Sequence, residues 1–372
     1  MPVTYARSVR PYAWDQIALN DDLGMVEGTI TDAQIKERAF AVDDYGDWYL
    51  RDSPYGGRIG HPLLLADDIV RLFFLGYDCR PPYAGGLHAK NIVWLRGPIR
   101  LGEHVTLTGH HVRKYERRGM QYRVLAGAAT TDDGRVLLQV EATETVGFRR
   151  RELTKPPQRT VSGAPRTARE EPLSKPYAMV GDHAIAVGMA LPPIVKHVTL
   201  QQSTIFSGFP FSWALDDTPP LRIGIHTDNE TAQEAGAPRP IIQGLVFANH
   251  ISEMCITQFG RYWLESGSLE TTFLRPALVG TTLRSEAIVA NVVGSGIRTK
   301  VELSVSTKTL TGELIMAGTA RLAIPRDHSR KSPGDGSGRI PQDVSPLNPS
   351  SAGMDPGGGL PSAVRGRVPQ GG

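Results

Sequence analysis

Two stretches of this sequence decide its fold: WLRGPIRLG at residues 94–102 and FLRPALVG at residues 273–280. Aligning Pro98 with Pro276 also aligns Gly102 with Gly280, at a single offset of 178 residues. A similarity that recurs at a fixed offset is typical of two copies of one structural unit. The sequence therefore predicts two similar halves in tandem.

The same kinds of segment surround both stretches. An apolar run of helical length precedes each one, at 62–76 and at 241–259. Strand-like segments follow, at 103–125 and 135–146 in the first half and at 281–293 and 298–323 in the second. Within them Val301, Leu303 and Val305 alternate with polar residues, as in a strand with one buried face. The pattern predicts an α+β fold with two antiparallel sheets, each wrapped around a central helix, although ordinary α+β domains fit the same pattern.

Two segments differ in composition from the rest of the chain. Residues 149–175 begin with three arginines and continue with Pro, Ser, Thr and Gly, which predicts a linker. Residues 326–372 are dominated by Gly, Pro, Ser and Arg, too polar to bury a core, which predicts disorder. The expected organisation is an N-terminal half at 1–148, the linker, a C-terminal half at 176–325 and a disordered tail at 326–372.

The overall composition excludes several classes of protein. The 41 basic and 38 acidic residues give a net charge of +3, which argues against a nucleic-acid-binding surface over the whole chain. Cys79 and Cys255 provide neither a disulfide framework nor the spacing of metal ligands, so no metal site is expected. The first residues lack the apolar run of a signal peptide, and no apolar stretch reaches the roughly 18 residues of a membrane span. A cytoplasmic location is therefore the default expectation.

The chemical signal lies in the second half, in IHTDNETAQEAG at 225–236 and PIIQGL at 240–245. These residues resemble the MaoC-like dehydratase family, which includes the (R)-specific enoyl-CoA hydratases, and the resemblance extends over about 198–324. The first half is similar to the degenerate N-terminal companion of tandem members. There DDYGDWY at 43–49 replaces the catalytic loop, and YGGRIGHP at 55–62 opens the helix. The resemblance implies a double hot-dog fold.

The resemblance also implies roles for individual residues. His226 occupies the position of the family's catalytic histidine, and the backbone at Gly244 occupies the site that binds the thioester oxygen. Such a site is reasonable because a helix N-terminus offers unpaired N–H donors. Asp228 or Asp217 is expected to support the imidazole. The acyl chain is expected to lie along the buried helix, and the predicted substrate-binding residues are Gln243, Gly244, Leu245 and Asn249.

The sequence departs from the family where its catalytic aspartate and asparagine are expected, because Leu221 and Ile223 stand there. Four interpretations stay open. Asp216 or Asp217 returns to the site through a looped insertion, His226 works alone, His226 works with Asp228, or hydration has been lost and acyl-thioester binding remains.

The resulting hypothesis is an acyl-thioester lyase of fatty acid metabolism, which hydrates an enoyl-CoA or dehydrates a 3-hydroxyacyl-CoA without metal or redox cofactor. The expected partner is a thioester of coenzyme A or of acyl carrier protein, and a homodimer is compatible with the sequence but not required. A hot-dog thioesterase is one alternative, for which Glu253 is the acid on the buried helix. A non-catalytic acyl-thioester-binding subunit is the other. His61, which aligns with Gln243, is expected to be structural.

Overall fold

The protein is described by a computed structural model, which covers residues 3–6, 8–79, 86–147, 178–180, 183–215, 221–295 and 297–325. The predicted linker and the predicted tail lie wholly outside these residues, and so does Asp217. Domain boundaries at 148 and 175 therefore stay predictions.

Eight α-helices and fifteen strands are found in the described residues. The helices are α1 (Asp32–Val42), α2 (Asp47–Leu50), α3 (Ala66–Arg71), α4 (Phe73–Gly76), α5 (Leu200–Ser207), α6 (Asn229–Glu234), α7 (Gly244–Phe259) and α8 (Arg261–Ser266), and a 3₁₀ turn spans Ser212–Ala214. The strands of the first half are β1 (Val3–Thr4), β2 (Arg10–Pro11), β3 (Met25–Thr29), β4 (Tyr77–Asp78), β5 (His88–Leu95), β6 (His104–Arg117), β7 (Met120–Thr131) and β8 (Val136–Thr145). Those of the second half are β9 (Ala178–Val180), β10 (His183–Ile185), β11 (Ile194–His197), β12 (Ser268–Phe273), β13 (Thr282–Ser295), β14 (Arg298–Thr309) and β15 (Leu314–Pro325).

Four strands form the main part of the sheet in each half. They are β5 to β8 in the first half and β12 to β15 in the second, and every pairing among them is antiparallel. The central helices pack on the concave side of these strands in one common core. The predicted α+β class and the double hot-dog arrangement are thus confirmed.

The sheets of the two halves are continuous with each other. The strands form a single sheet of eleven strands, in the order β1-β3-β6-β7-β8-β5-β12-β15-β14-β13-β11. The two halves meet where β5 pairs with β12, for example at Val93 opposite Leu269 and Asn91 opposite Thr271. An unpaired strand edge exposes backbone donors and acceptors, so this seam satisfies the edge of both halves at once.

The hydrogen bonds confirm the internal repeat. Gly60 N–H donates to Ile99 (2.8 Å) in the first half, and Ile242 N–H donates to Ala277 (2.7 Å) in the second. The aligned glycines Gly102 and Gly280 have φ values of 80° and 83°, a left-handed conformation that glycine adopts without strain.

The two central helices differ in length. α7 continues over sixteen residues and is mostly buried, as its apolar composition predicts. Its counterpart is divided into the short helices α3 and α4, and the first of these carries the buried charges Asp67, Asp68 and Arg71. None of the helices that the structure describes combines the length and apolar character needed to cross a bilayer.

Candidate functional site

A cavity of about 420 Å³ lies between the two halves. One wall is the beginning of α7 with the loop that precedes it, and the other wall consists of residues of β5, β7 and β8. The lining residues are Gly86, Leu87, His88, Ala89, Met120, Tyr122, Glu144, Thr145, Ile225, His226, Ile241, Ile242, Gln243, Gly244, Phe247, Phe273, Leu274, Arg275 and Pro276. The cavity is therefore a joint product of both halves, with aromatic and aliphatic walls and a few polar groups.

His226 is held in the cavity wall by two hydrogen bonds. Its Nδ1 lies 2.8 Å from the carbonyl oxygen of Ile241, and its backbone carbonyl accepts from the Ser203 hydroxyl at 2.8 Å. A carbonyl oxygen can only accept, so Nδ1 carries the proton and Nε2 of the neutral ring keeps its lone pair. Among the described residues no group is hydrogen-bonded to Nε2, so this nitrogen is available to a molecule in the cavity.

The surroundings of His226 keep its ring neutral. Burial lowers the pKa to about 4, and the bond to Ile241 opposes this shift. Arg71 and His88 lower the pKa further, whereas the negative charge of Glu144 raises it. At neutral pH the imidazole is therefore in the form that can accept a proton.

Gly244 provides a hydrogen-bond donor in the same cavity. It is the first residue of α7, so its N–H has no acceptor within the helix. No described residue outside the helix accepts it either. A Cβ at this position would lie 2.9 Å from the ring of Phe273, which also lines the cavity. Glycine thus leaves the backbone open to a ligand.

Gln243 fixes the start of α7. Its Oε1 accepts from the N–H of Leu245 (2.8 Å), and its Nε2 donates to Asp67 of the first half (2.7 Å). Arg71 lies 2.8 Å from the same carboxylate. With both ends of the amide already bonded, the side chain of Gln243 positions the helix terminus.

The structure does not bring Leu245 and Asn249 to the cavity. Leu245 is completely buried in the core. The Asn249 amide donates to the carbonyl of Leu245 (2.7 Å), one turn earlier in the helix. Phe247 lines the cavity instead. An acyl group in this cavity would therefore contact the aromatic rings of Phe247 and Phe273, and not the helix face that the sequence favoured.

Asp228 does not hold the His226 ring. Its carboxylate accepts from the backbone N–H (2.7 Å) and hydroxyl (2.8 Å) of Thr231 and so caps α6. These bonds lower the pKa of Asp228. Leu221 and Ile223, which replace the family's aspartate and asparagine, have 44% and 61% of their surface exposed. The described part of this loop thus delivers no carboxylate to the imidazole.

Sequence reasoning missed two groups of the first half. Glu144 of β8 is the one carboxylate among the described residues that line the cavity, and it forms a salt bridge with Arg123. His88 of β5 lies directly opposite Glu144 in the sheet, and its ring packs on Phe273 at 4.8 Å. Neither residue belongs to a sequence motif, and only the three-dimensional structure shows that both line the cavity of His226.

The corresponding place in the first half is closed. The Ile59 N–H donates to the Trp48 carbonyl (3.0 Å), and the Ile241 N–H donates in the same way to the Ile225 carbonyl (2.9 Å). Tyr49 follows Trp48 and His226 follows Ile225, so Tyr49 is the counterpart of His226. The Tyr49 side chain is buried, with its ring 5.5 Å from that of His61.

His61 faces a buried acid on its other side. Its Nε2 lies 3.0 Å from the carboxylate of Asp44. Burial alone would raise the pKa of Asp44, but the interaction with His61 and the charge of Lys196 outweigh it and lower the pKa. Both side chains are nearly inaccessible, with exposed fractions of 1% and 6%, in keeping with the structural role expected for His61.

Glu253, the acid required by a thioesterase, lies in this closed region. It forms a salt bridge with Lys196, whose ammonium also donates to the carbonyl of Val42 at 2.9 Å. Burial raises the pKa of Glu253 to about 7. Glu253 does not line the His226 cavity, so the two groups do not form one site. In the described residues we find no group of three His, Cys, Asp or Glu side chains arranged to hold a metal ion.

Comparison with solved structures agrees with this architecture. A MaoC-like dehydratase superposes with a TM-score of 0.58 at 17% identity and covers 83% of this chain and 97% of its own. A MaoC domain dehydratase from Chloroflexus aurantiacus J-10-fl gives 0.56 at 10% identity, with 87% and 99% covered. The MaoC-like dehydratase from Phytophthora capsici gives 0.54 at 16% identity, with 85% and 100% covered. No family model matches the sequence, and no curated protein matches it significantly. The chain has the fold of the MaoC-like dehydratases.

Proposed function

We propose that this protein is an acyl-thioester hydratase or dehydratase with His226 as general base and acid. The observation that carries the proposal is the free Nε2 of a neutral His226 in a cavity that also contains the unpaired N–H of Gly244. The similar folds that are named dehydratases support the reaction class.

In the hydration direction His226 Nε2 takes a proton from water, and the water oxygen bonds to the β-carbon of the enoyl-thioester. The electron pair of the double bond moves toward the thioester carbonyl, whose oxygen becomes negative. The N–H of Gly244 stabilises this oxygen, since a donor placed where charge develops lowers the barrier. The imidazolium then returns its proton to the α-carbon, so that water has been added and the histidine is neutral again.

The proposed chemistry is tested by the absorbance of a conjugated enoyl-thioester, with acyl chains that are short, branched and long. Wild-type protein is expected to remove the absorbance, and His226→Ala to reduce kcat by about 10²–10⁴-fold, the usual contribution of a general acid–base group. His197→Ala is the matched control, because this histidine is exposed on β11 and bonds to Thr282 outside the cavity. Absence of hydration for every chain length contradicts the lyase, and full activity of His226→Ala contradicts the assignment of this residue.

A binding function without catalysis is the second candidate. It is favoured by Leu221, an exposed aliphatic residue where the family has its aspartate. Titration calorimetry with a saturated acyl-thioester separates the two: binding together with a silent absorbance assay supports the binding subunit. Turnover of the enoyl-thioester excludes it as the whole function.

A further inference from the structure

The hydratase proposed above needs a second polar group on the reacting water, and the described part of the loop of His226 does not provide it. The geometry points to Glu144, from the opposite half of the chain, as the carboxylate that holds this water together with His226. The inference rests on the proposed function and deepens it, because it makes the first half a contributor to catalysis.

The position of Glu144 is the first support. Glu144 of strand β8 and His226 both line the same cavity. Within the described residues Glu144 is the sole acidic side chain of that lining. The charge of Glu144 also acts on the imidazole, whose pKa it raises, as expected for two groups that line one cavity.

The second support is the way in which Glu144 is held. Arg123, whose side chain is fully buried, binds its Oε2. The guanidinium of Arg123 is itself fixed, because it lies 4.0 Å from the ring of Phe73 and donates to the Tyr12 hydroxyl at 2.8 Å. The other oxygen, Oε1, has no hydrogen-bond partner among the described residues. One oxygen is therefore anchored and the other is available.

The step balances without any further reactant. One hydrogen of the water passes to Nε2 of His226 as the oxygen bonds to the β-carbon. The other hydrogen is bonded to Oε1 of Glu144 and stays on the oxygen, where it becomes the hydroxyl hydrogen of the product. The proton on His226 is then delivered to the α-carbon, and the carboxylate of Glu144 ends the cycle ionised as it began.

A simpler role for Glu144 is to neutralise Arg123, so the test must separate charge balance from catalysis. Glu144→Gln keeps an oxygen that can accept from Arg123 but removes the negative charge at the water. We expect kcat for hydration to fall about 10²-fold, as in the loss of a group that positions a reactant, with KM changed less than threefold. Glu141→Gln is the matched control, since this residue lies on the same strand and pairs with Arg113 away from the cavity.

A pH profile tests the electrostatic contact between Glu144 and His226, while the fall of kcat at nearly constant KM tests the role of Glu144 on the water. Because Glu144 raises the pKa of His226, its neutralisation is expected to shift the acid limb of kcat/KM to lower pH, whereas Glu141→Gln leaves the limb in place. Thermal melting shows whether each variant is folded. If Glu144→Gln does not fold, Glu144→Asp keeps the charge beside Arg123 but withdraws the carboxylate from the water, and about tenfold lower kcat is expected.

The outcomes are distinct. Hydration by wild type together with a folded Glu144→Gln of unchanged kcat overturns the role of Glu144 and leaves the proposed function standing. Unchanged kcat of Glu144→Asp, where that variant is needed, overturns the role equally. No hydration by wild type overturns the proposed function, and the role of Glu144 with it.

Discussion

The two halves of the chain place different residues at the same three positions. The second half has His226, Gln243 and Gly244, which border an open cavity. The first half has Tyr49, His61 and Pro62 at the corresponding positions, and there the side chains of Tyr49 and His61 pack against each other.

Each substitution removes one chemical function. Tyrosine replaces the histidine that can accept a proton, and burial raises the pKa of Tyr49 above its ordinary value. Proline replaces the glycine whose N–H is free, and proline has no N–H. The comparison teaches that the repeat conserves the backbone, while a few side chains decide whether a half forms a site or a closed core.

The largest effect on kcat is expected when Gly244 of the second half is replaced by proline, the residue at the same position of the first half. Proline is tolerated at the first position of a helix, and Gln243 before it is already extended (φ −67°, ψ 136°), as a residue preceding proline must be. Gly244→Pro is therefore expected to fold and to lower kcat by about 10²–10³-fold, the effect of losing one donor to a developing oxyanion.

Gly244→Ala is the control for this substitution. It adds a Cβ against Phe273 but keeps the N–H, so steady-state kinetics of the two variants isolate the donor. Equal kcat for alanine and proline would show that crowding, and not the hydrogen bond, is responsible.

The closed site is expected to affect stability and not activity. Asp44→Ala leaves the buried Nε2–H of His61 without its carboxylate, and a buried donor left unpaired costs about 1–3 kcal/mol. Denaturant unfolding measures this change, and hydration per folded molecule is expected to stay within threefold. Asp47→Ala is the matched control, because its carboxylate is 77% exposed and 3.9 Å from Arg51, where little stabilisation is expected. A loss below 1 kcal/mol for Asp44→Ala would contradict the assignment of a closed, structural pair.

The smallest effect is expected in the pH dependence of the open site. The neutral form of His226 is the base, and its pKa is lowered to about 4. Protonation of His226 should therefore leave kcat/KM for hydration unchanged as the pH falls from 8 to 5. The decrease should then be centred near pH 4, because protonation removes the lone pair of Nε2. A decrease of kcat/KM centred near pH 6.5, about the ordinary pKa of histidine, would show that the ring is more exposed to water than the structure indicates.

Much of the fold could be predicted from local pattern. The offset shared by Pro98/Pro276 and Gly102/Gly280 located the repeat, because proline and a left-handed glycine mark fixed backbone positions. The period of two located the strands. The break between α3 and α4 was not predicted, since the apolar run at 62–76 has the composition of one continuous buried helix.

The site could be predicted only where its residues are close in sequence. His226 and Gly244 lie on one short segment, and its motif identified both. Glu144 and His88 carry no motif of their own, and they reach the cavity because β5 and β8 continue into the sheet of the second half. Leu245 and Asn249 were expected at the site but do not line the cavity, because the composition of a buried helix does not show which of its faces borders a cavity.

The seam between β5 and β12 also has a consequence for biosynthesis. Asn91 and Thr271 are 180 residues apart, so the partner of β5 leaves the ribosome long after the first half has been made. Contacts between such distant residues form slowly, and until then β5 is an open edge that can pair with another chain. Nascent first halves are therefore expected to associate more readily before β12 is made, and slower translation between residues 147 and 268 is expected to lengthen that interval.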